Sequence, residues 1–327
     1  MFSFPVMRVL ITSHCNLKCK HCYQHFEKNK YMLSSKKLWE IVDFAISHGV
    51  DLLDFSGGEF FTHPEAYNLL DYCCTKHIKT NIATNATLLD VDFFSDYKDL
   101  DLISFQFSVD GLRDTHDERR GCGTFDKMMK NAHQLKDMGY NITASMALDS
   151  LNYQDAIEVL KLSAFSDFYF LPVAFTGAAT LNSSGQLTDD YETTICYLLR
   201  ETDCSLGKPY SLFPNTVTVN YDGGVYPNSE AADYRLFCMG NINEEDLSSI
   251  LISFLNSEDF NKLSSIDIDS IPECNDCISK DICSRGSQMR AYKFFKEFNR
   301  PDPVFCRVFI DSYKDIPFNK LFWGIKE

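Results

Sequence analysis

Val6-Met7-Arg8-Val9-Leu10-Ile11 runs into Thr12-Ser13-His14-Cys15-Asn16-Leu17-Lys18-Cys19-Lys20-His21-Cys22-Tyr23, and this junction decides how the rest of the chain is read. Val6 to Ile11 is short, apolar and β-branched, which reads as a buried strand. Three cysteines follow within one loop. Thiolates are the usual ligands of iron–sulfur clusters, and three of them on a four-iron cube leave one iron open. A zinc site completed by His14, His21 or His25 is the alternative that the residues alone leave standing.

Outward from that loop the chain alternates strands and helices. Ser34 to His48 places Leu38, Ile41, Val42 and Ala45 on one helical face, with Ser34-Ser35 as cap and Gly49 as stop. Leu52 to Phe55 is a strand that ends in Ser56-Gly57-Gly58-Glu59. His63 to His77 reads as helix, Thr80 to Ala83 as a strand ending at Thr84-Asn85, and Leu102 to Val109 as a strand ending at Asp110-Gly111. Phe125 to Met138 is helical, Ile142 to Leu148 a strand, Gln154 to Leu162 a helix and Phe168 to Val173 a strand. Alternation at this period argues for a parallel sheet with crossover helices, and about six units suit an open partial barrel better than a closed eightfold one. In such sheets chemistry collects at the C-terminal strand ends, where the cysteine loop, Gly-Gly-Glu, Thr-Asn and Ser108-Val109-Asp110 all fall.

The 327 residues have room for that domain and a smaller one. We expect a barrel over 1–177, a linker and helix over 178–204 (helical from Asp189 to Glu201), and a cysteine-rich α+β domain over 205–327. In the last, Thr216 to Asn220 and Val225-Tyr226 flank a Tyr-Asp-Gly-Gly turn and read as a hairpin. A net charge of −15 argues against nucleic acid as partner, because phosphate binding needs a basic face. No apolar run approaches a membrane helix and no secretory signal is visible, so a cytoplasmic protein is expected. With no export signal, thirteen cysteines point to metal or catalysis more than to disulfides.

Gly57-Gly58 lets backbone approach a ligand closely, and the Glu59 carboxylate there can accept from an ammonium, although an ordinary βα turn gives the same tripeptide. Thr84, Asn85 and Ser108 are candidate ligand contacts or simple helix caps. Cys122 is a candidate thiol hydrogen donor, set against the reading of a buried, inert cysteine. Cys274, Cys277, Cys283 and Cys306 form a second set that can ligate a cluster fully, with a four-cysteine zinc site as its alternative. Cys73, Cys74 and Cys196 sit in helical patterns and read as core.

These motifs resemble the radical SAM superfamily. Cys15, Cys19, Cys22 and Tyr23 match its cysteine motif, and Gly57-Gly58-Glu59 its SAM-amino motif, with Phe60 where a proline is common. The run from Ser108 to Phe125, the Asp222-to-Pro227 hairpin and the late cysteines resemble the subgroup with a SPASM or twitch extension, whose members are largely peptide-modifying. The resemblance implies S-adenosylmethionine and a [4Fe–4S] cluster as cofactors. It implies SAM contacts from Tyr23, Ser56, Gly57, Gly58, Glu59, Thr84, Asn85, Ser108, Asp110 and Arg120, with Arg119 as the neighbour that leaves the arginine uncertain by one residue. The full extension carries seven cysteines and two auxiliary clusters. Here Asn228 and Ser287 stand where two ligands of one cluster are expected, so the resemblance implies one auxiliary cluster. Cys204 and Cys238 are left over, and Cys238 stands as a replacement ligand for a second. The implied reaction is hydrogen abstraction from a ribosomally made peptide, giving a crosslink, thioether, epimer or oxidised residue. The alternatives are a small-molecule dehydrogenase or epimerase, for example on an aminoglycoside, and a non-catalytic zinc module. The catalytic strand begins at about Val6. A separate leader-recognition protein or direct peptide binding is therefore expected, with ferredoxin or flavodoxin as electron donor.

Overall fold

The computed structural model describes residues 5–22, 29–97, 99–148, 152–172, 205–206, 215–265, 271–277, 286–303 and 306. Six parallel strands lie side by side in chain order: β1 (Val6–Thr12), β2 (Leu52–Gly57), β3 (Lys79–Thr84), β4 (Ile103–Ser108), β5 (Asn141–Leu148) and β6 (Asp167–Pro172). Between them run α1 (Ser35–Ser47), α2 (Ala66–Thr75), α3 (Arg113–Arg120), α4 (Thr124–Asp137) and the single turn α5 (Ala156–Val159). β1 to β5 each bury one face. Met7, Val9 and Ile11, Leu53 and Phe55, and Phe105 and Phe107 are all 0% exposed and join the buried faces of α1, α2 and α4 in one core. Leu38, Ile41, Val42 and Ala45 are that face of α1, as their helical spacing predicts, and the Ser34 side chain caps the helix by accepting from Lys37 N.

The opposite sheet face is polar and half-buried. Arg8, Asp54, Asn81 and Ser104 are register partners on four successive strands. They form a ladder, with Arg8 3.3 Å from Asp54, Asn81 donating to Asp54 at 2.8 Å and Ser104 donating to Asn81 at 3.1 Å. This inner face is the one a partial barrel wraps.

β8 (Thr216–Val219) pairs parallel with β1, Val6 opposite Thr216 through Val9 opposite Val219. β9 (Gly224–Tyr226) returns antiparallel, as the Tyr-Asp-Gly-Gly turn predicts, and β10 (Gly240–Asn241) follows. β7 (Ser205–Leu206) extends the far edge beside β6. The order is therefore β10-β9-β8-β1-β2-β3-β4-β5-β6-β7, an open sheet whose two ends do not pair. Residues on both sides of the expected linker share it. The remaining described helices are α6 (Ser229–Tyr234), α7 (Leu247–Leu255), α8 (Glu258–Ser264), α9 (Pro272–Asn275) and α10 (Gln288–Phe295). Among the described residues no helix is long and apolar enough to cross a membrane.

One helix is not expected from the sequence, and two expected helices need correction. α3 is absent from the apolar periodicity because Arg113 to Arg120 contains no apolar side chain, and its buried residues are His116 and Arg119. The helix expected over Gln154 to Leu162 contracts to one 3₁₀ turn and α5. That expected over His63 to His77 begins only at Ala66, after a 3₁₀ turn at Phe60–Thr62. The segment 178–204, with its helix from Asp189 to Glu201, lies outside the described residues.

Candidate functional site

The cysteine loop is fixed from four strand ends. Thr12 closes β1, and its hydroxyl accepts from His14 N at 3.0 Å. The returning chain is tied by Ser13 N donating to Tyr31 O at 2.9 Å and Tyr31 N to Ser13 Oγ at 2.8 Å. Cys22 N donates to Cys19 O at 3.1 Å, a tight turn that carries two of the three thiols.

β2 supplies the second support. Gly58 N donates to Thr12 O at 2.7 Å and Glu59 N to His14 O at 2.8 Å. A Cβ on Gly57 would lie 2.3 Å from Thr12 O, and one on Gly58 2.2 Å from His14 O. Gly57 also has φ +140. The close approach these glycines were expected to grant a ligand is used, in this structure, by the cysteine loop itself. The Glu59 carboxyl is 1% exposed. One oxygen accepts from Phe61 N at 3.2 Å and Thr84 Oγ1 at 2.6 Å, and the other from Asn85 N at 2.7 Å. Burial raises its pKa, and these donors pull against that rise. Ser56, one turn of the pleat earlier, accepts from Arg8 at 3.3 Å on the inner face.

β3 supplies the third. Asn85 Nδ2 donates to Asn16 Oδ1 at 3.1 Å and lies 3.8 Å from Cys15 Sγ, while Asn16 Nδ2 reaches Thr87 Oγ1 at 2.8 Å. Leu17 N adds a contact to Cys15 Sγ at 3.4 Å. Thr84 and Asn85 thus belong to the loop's scaffold, and Asn16 joins them without any motif that marks it in the sequence.

β4 and α3 supply the fourth. Asp110 is 0% exposed and surrounded by basic side chains: Arg120 Nε at 2.6 Å, His21 Nε2 at 3.3 Å and Arg119 Nε at 3.8 Å. Its other oxygen accepts from Ala147 N at 3.1 Å, and Asn152 caps its carbonyl at 3.0 Å. Burial alone would raise the Asp110 pKa, but the charges of Arg120, His21 and Arg119 outweigh it and hold the carboxyl well below the usual range. Arg120 is the arginine that turns to the thiols, with Nη1 3.9 Å from Cys19 Sγ, whereas Arg119 donates to Ala147 O at 3.3 Å. Burial opposes charge on Arg120, and Asp110 and Cys19 more than restore it. His116 accepts from Asp110 N at 3.2 Å, and burial, then the Arg120 charge, lowers its pKa to about 4. Lys20 N donates to Arg119 O at 2.8 Å, which joins the cysteine loop directly to the end of α3. Ser108 ends β4 on the half-buried inner face.

Burial pushes the Cys15 thiol up to about 11 and raises Cys19 as well, against the pull of Arg120. These sulfurs therefore ionise at neutral pH when a metal takes the place of the proton. Among the described residues no three His, Cys, Asp or Glu side chains gather closely enough to hold one metal ion. A cube does not ask for that, since each thiolate binds a different iron. Three thiols in one loop, with Arg120, Asn85 and Leu17 N–H groups facing two of the sulfurs, fit a cluster.

Elsewhere, Cys274 and Cys277 share the α9 turn, Cys277 N donating to Cys274 O at 3.3 Å, and Cys306 N donates to Asp302 O at 3.0 Å. All three thiols are half-buried. Cys283, Tyr23, His25, Cys196 and Cys204 lie outside the described residues. Cys238 is exposed, its Sγ 3.5 Å from Gly240 O. Cys73 is buried in α2 as its pattern predicts, with Cys74 half-buried beside it. Cys122 is exposed, contrary to the expectation of a buried thiol, because Gly121 and Gly123, both at positive φ, turn the chain out between α3 and α4.

Residues 9–163 match the profile of the radical SAM superfamily, and residues 213–278 match SPASM, an iron–sulfur cluster-binding domain. The Fe-coproporphyrin III synthase of Methanosarcina barkeri is 28% identical over 204 residues, 60% of this chain and 51% of that protein. The antilisterial bacteriocin subtilosin biosynthesis protein AlbA of Bacillus subtilis is 31% identical over 148 residues, 43% of this chain and 33% of that protein. The chain thus spans about half the length of these curated relatives, or less. The crystal structure of Streptococcus suis SuiB bound to precursor peptide SuiA superposes with a TM-score of 0.70 at 19% identity, over 94% of this chain and 76% of that one, a likeness of fold.

Proposed function

We propose that this chain, which matches the radical SAM profile over residues 9–163 and the SPASM profile over residues 213–278, is a radical SAM enzyme that modifies a ribosomally made peptide by hydrogen-atom abstraction. The observation that carries the chemistry is the four-sided support of the Cys15–Cys19–Cys22 loop, with one guanidinium reaching a sulfur. A [4Fe–4S] cluster held by Cys15, Cys19 and Cys22 would supply the one-electron reductive cleavage of S-adenosylmethionine to a 5′-deoxyadenosyl radical.

The chain's own residues do the rest. Cys15, Cys19 and Cys22 bind through sulfur, and Tyr23 follows them. Asp110, kept anionic, holds Arg120 by its Nε and His21 by its Nε2. With Nε on Asp110 and Nη1 toward Cys19, Arg120 would have its other guanidinium N–H groups for the SAM carboxylate. Glu59 spends both oxygens on Phe61, Thr84 and Asn85, so it serves the site by tying the β2 and β3 loops together. Gly57 and Gly58 set the distance between β2 and the loop, and Ser56 and Ser108 line the inner face below it.

Similarity to AlbA, named for bacteriocin biosynthesis, supports a peptide substrate. A second reading is favoured by the 28% identity to a protein named for Fe-coproporphyrin III synthesis, which points to a tetrapyrrole-sized small molecule. Under either, a ferredoxin or flavodoxin gives the electron, the protein works in a reducing cytoplasm, and the peptide is met directly or through a recognition partner. The test is anaerobic turnover with SAM and dithionite on peptides encoded by short reading frames beside the gene, and separately on iron coproporphyrin. A peptide mass change supports the proposal; a product only from the porphyrin replaces it with the second reading.

A further inference from the structure

We infer that this chain holds one auxiliary cluster and that an oxygen network closes the place of a second. The inference rests on the SPASM assignment and deepens it.

The two positions where the resemblance leads one to expect further thiols are each 1% exposed and already employed. Asn228 Oδ1 accepts from Ala231 N at 2.8 Å and its carbonyl from Ala232 N at 3.1 Å, so its amide caps α6. Ser287 donates its hydroxyl to Glu230 in the first turn of α6, and its N–H goes to Asp302 Oδ2 at 2.7 Å. Asp302 sits so close beneath that a Cβ on Gly286, at φ +68, would lie 2.4 Å from its own Cβ. Asp302 O then accepts from Cys306 N at 3.0 Å. A continuous path runs from α6, which packs beside β8 and β9, through Glu230, Ser287 and Asp302 to a ligand of the auxiliary cluster. It consists of an amide, a hydroxyl and carboxylates, whereas iron–sulfur cubes take thiolates.

Cys238 is the described thiol left in this neighbourhood. It is exposed, and one sulfur does not hold a cube. The network thus does mechanically what a cluster would do there: it fastens the 286–303 segment to the sheet edge.

The test is iron and acid-labile sulfide per chain after anaerobic reconstitution of the full-length protein, with Mössbauer spectroscopy to count cubes. About eight iron atoms are expected, one cube at each end of the chain. That count stays the same in C238A, E230Q and S287A and falls by half in C274A/C277A, while S287A unfolds at a lower temperature. About twelve iron atoms falling in C238A, or iron lost from E230Q or S287A, would show that this region is a ligand set and overturn the inference. So would about four in the unaltered protein. SAM cleavage and peptide modification are read separately, so the iron count fails or succeeds independently of the reaction proposed above.

Discussion

Replacing Gly58 by alanine attacks the contact on which the N-terminal site is built. The new Cβ would meet His14 O at 2.2 Å, whereas ordinary contact begins at 3.4 Å, so the cysteine loop must recede by about 1.2 Å. Both partners are main chain, and no rotamer change relieves the clash. The receding loop stretches the Gly58–Thr12 and Glu59–His14 hydrogen bonds, now 2.7 and 2.8 Å, beyond useful length. Two such bonds are worth about 2 kcal/mol, and residual strain adds about 1 kcal/mol. Metal–ligand distances tolerate only about 0.2 Å, so the displaced Cys15 no longer chelates properly. Reconstituted G58A should lose about half its iron, the auxiliary share remaining, and its urea midpoint should fall accordingly. Gly49, which has open space around it and φ +67, is the control. G49A should cost about 1 kcal/mol through backbone strain and leave iron unchanged. A G58A protein with full iron and unaltered stability would refute the reasoning.

Asp110→Asn removes the buried charge that Arg120, His21 and Arg119 surround, and should cost about 3 kcal/mol and weaken SAM binding at least tenfold, read by urea unfolding and equilibrium dialysis. Glu59→Gln puts an amide where one oxygen now accepts from Asn85 N, and should lower stability by about 2 kcal/mol without changing the ligand sulfurs. His116 has a folded pKa near 4, below its unfolded value of 6.5, so the unfolded chain takes the proton first as pH falls. Iron-free protein should lose about 2 kcal/mol between pH 7 and pH 5, a loss abolished in H116N, whose amide oxygen still accepts from Asp110 N; a flat pH profile in the unaltered protein counts against this.

β1 to β4, which build the site, were readable because each buries one face: Leu53 and Phe55 alternate with Asp54 and Ser56 as period two requires. The cysteine loop announced itself by spacing. α3 did not, because a helix whose buried side is His116 and Arg119 has no apolar stripe, and that side is met by Asp110 just past β4 and by Ala147 O of β5. The pairing of β8 with β1 joins residues more than 200 apart and leaves no local trace. Gly57 and Gly58 announce in the sequence only that something comes close, and the structure shows that the backbone of Thr12 and His14 does so. The choice between Arg119 and Arg120 needed the turn of α3 that aims one at Cys19 and the other at Ala147.

The most direct measurement is 5′-deoxyadenosine released from SAM by the dithionite-reduced protein, with and without Cys15, Cys19 and Cys22. The account predicts release from the unaltered chain and none from the triple alanine variant, although that variant keeps the iron of its auxiliary site. Undiminished release from the triple variant would contradict it.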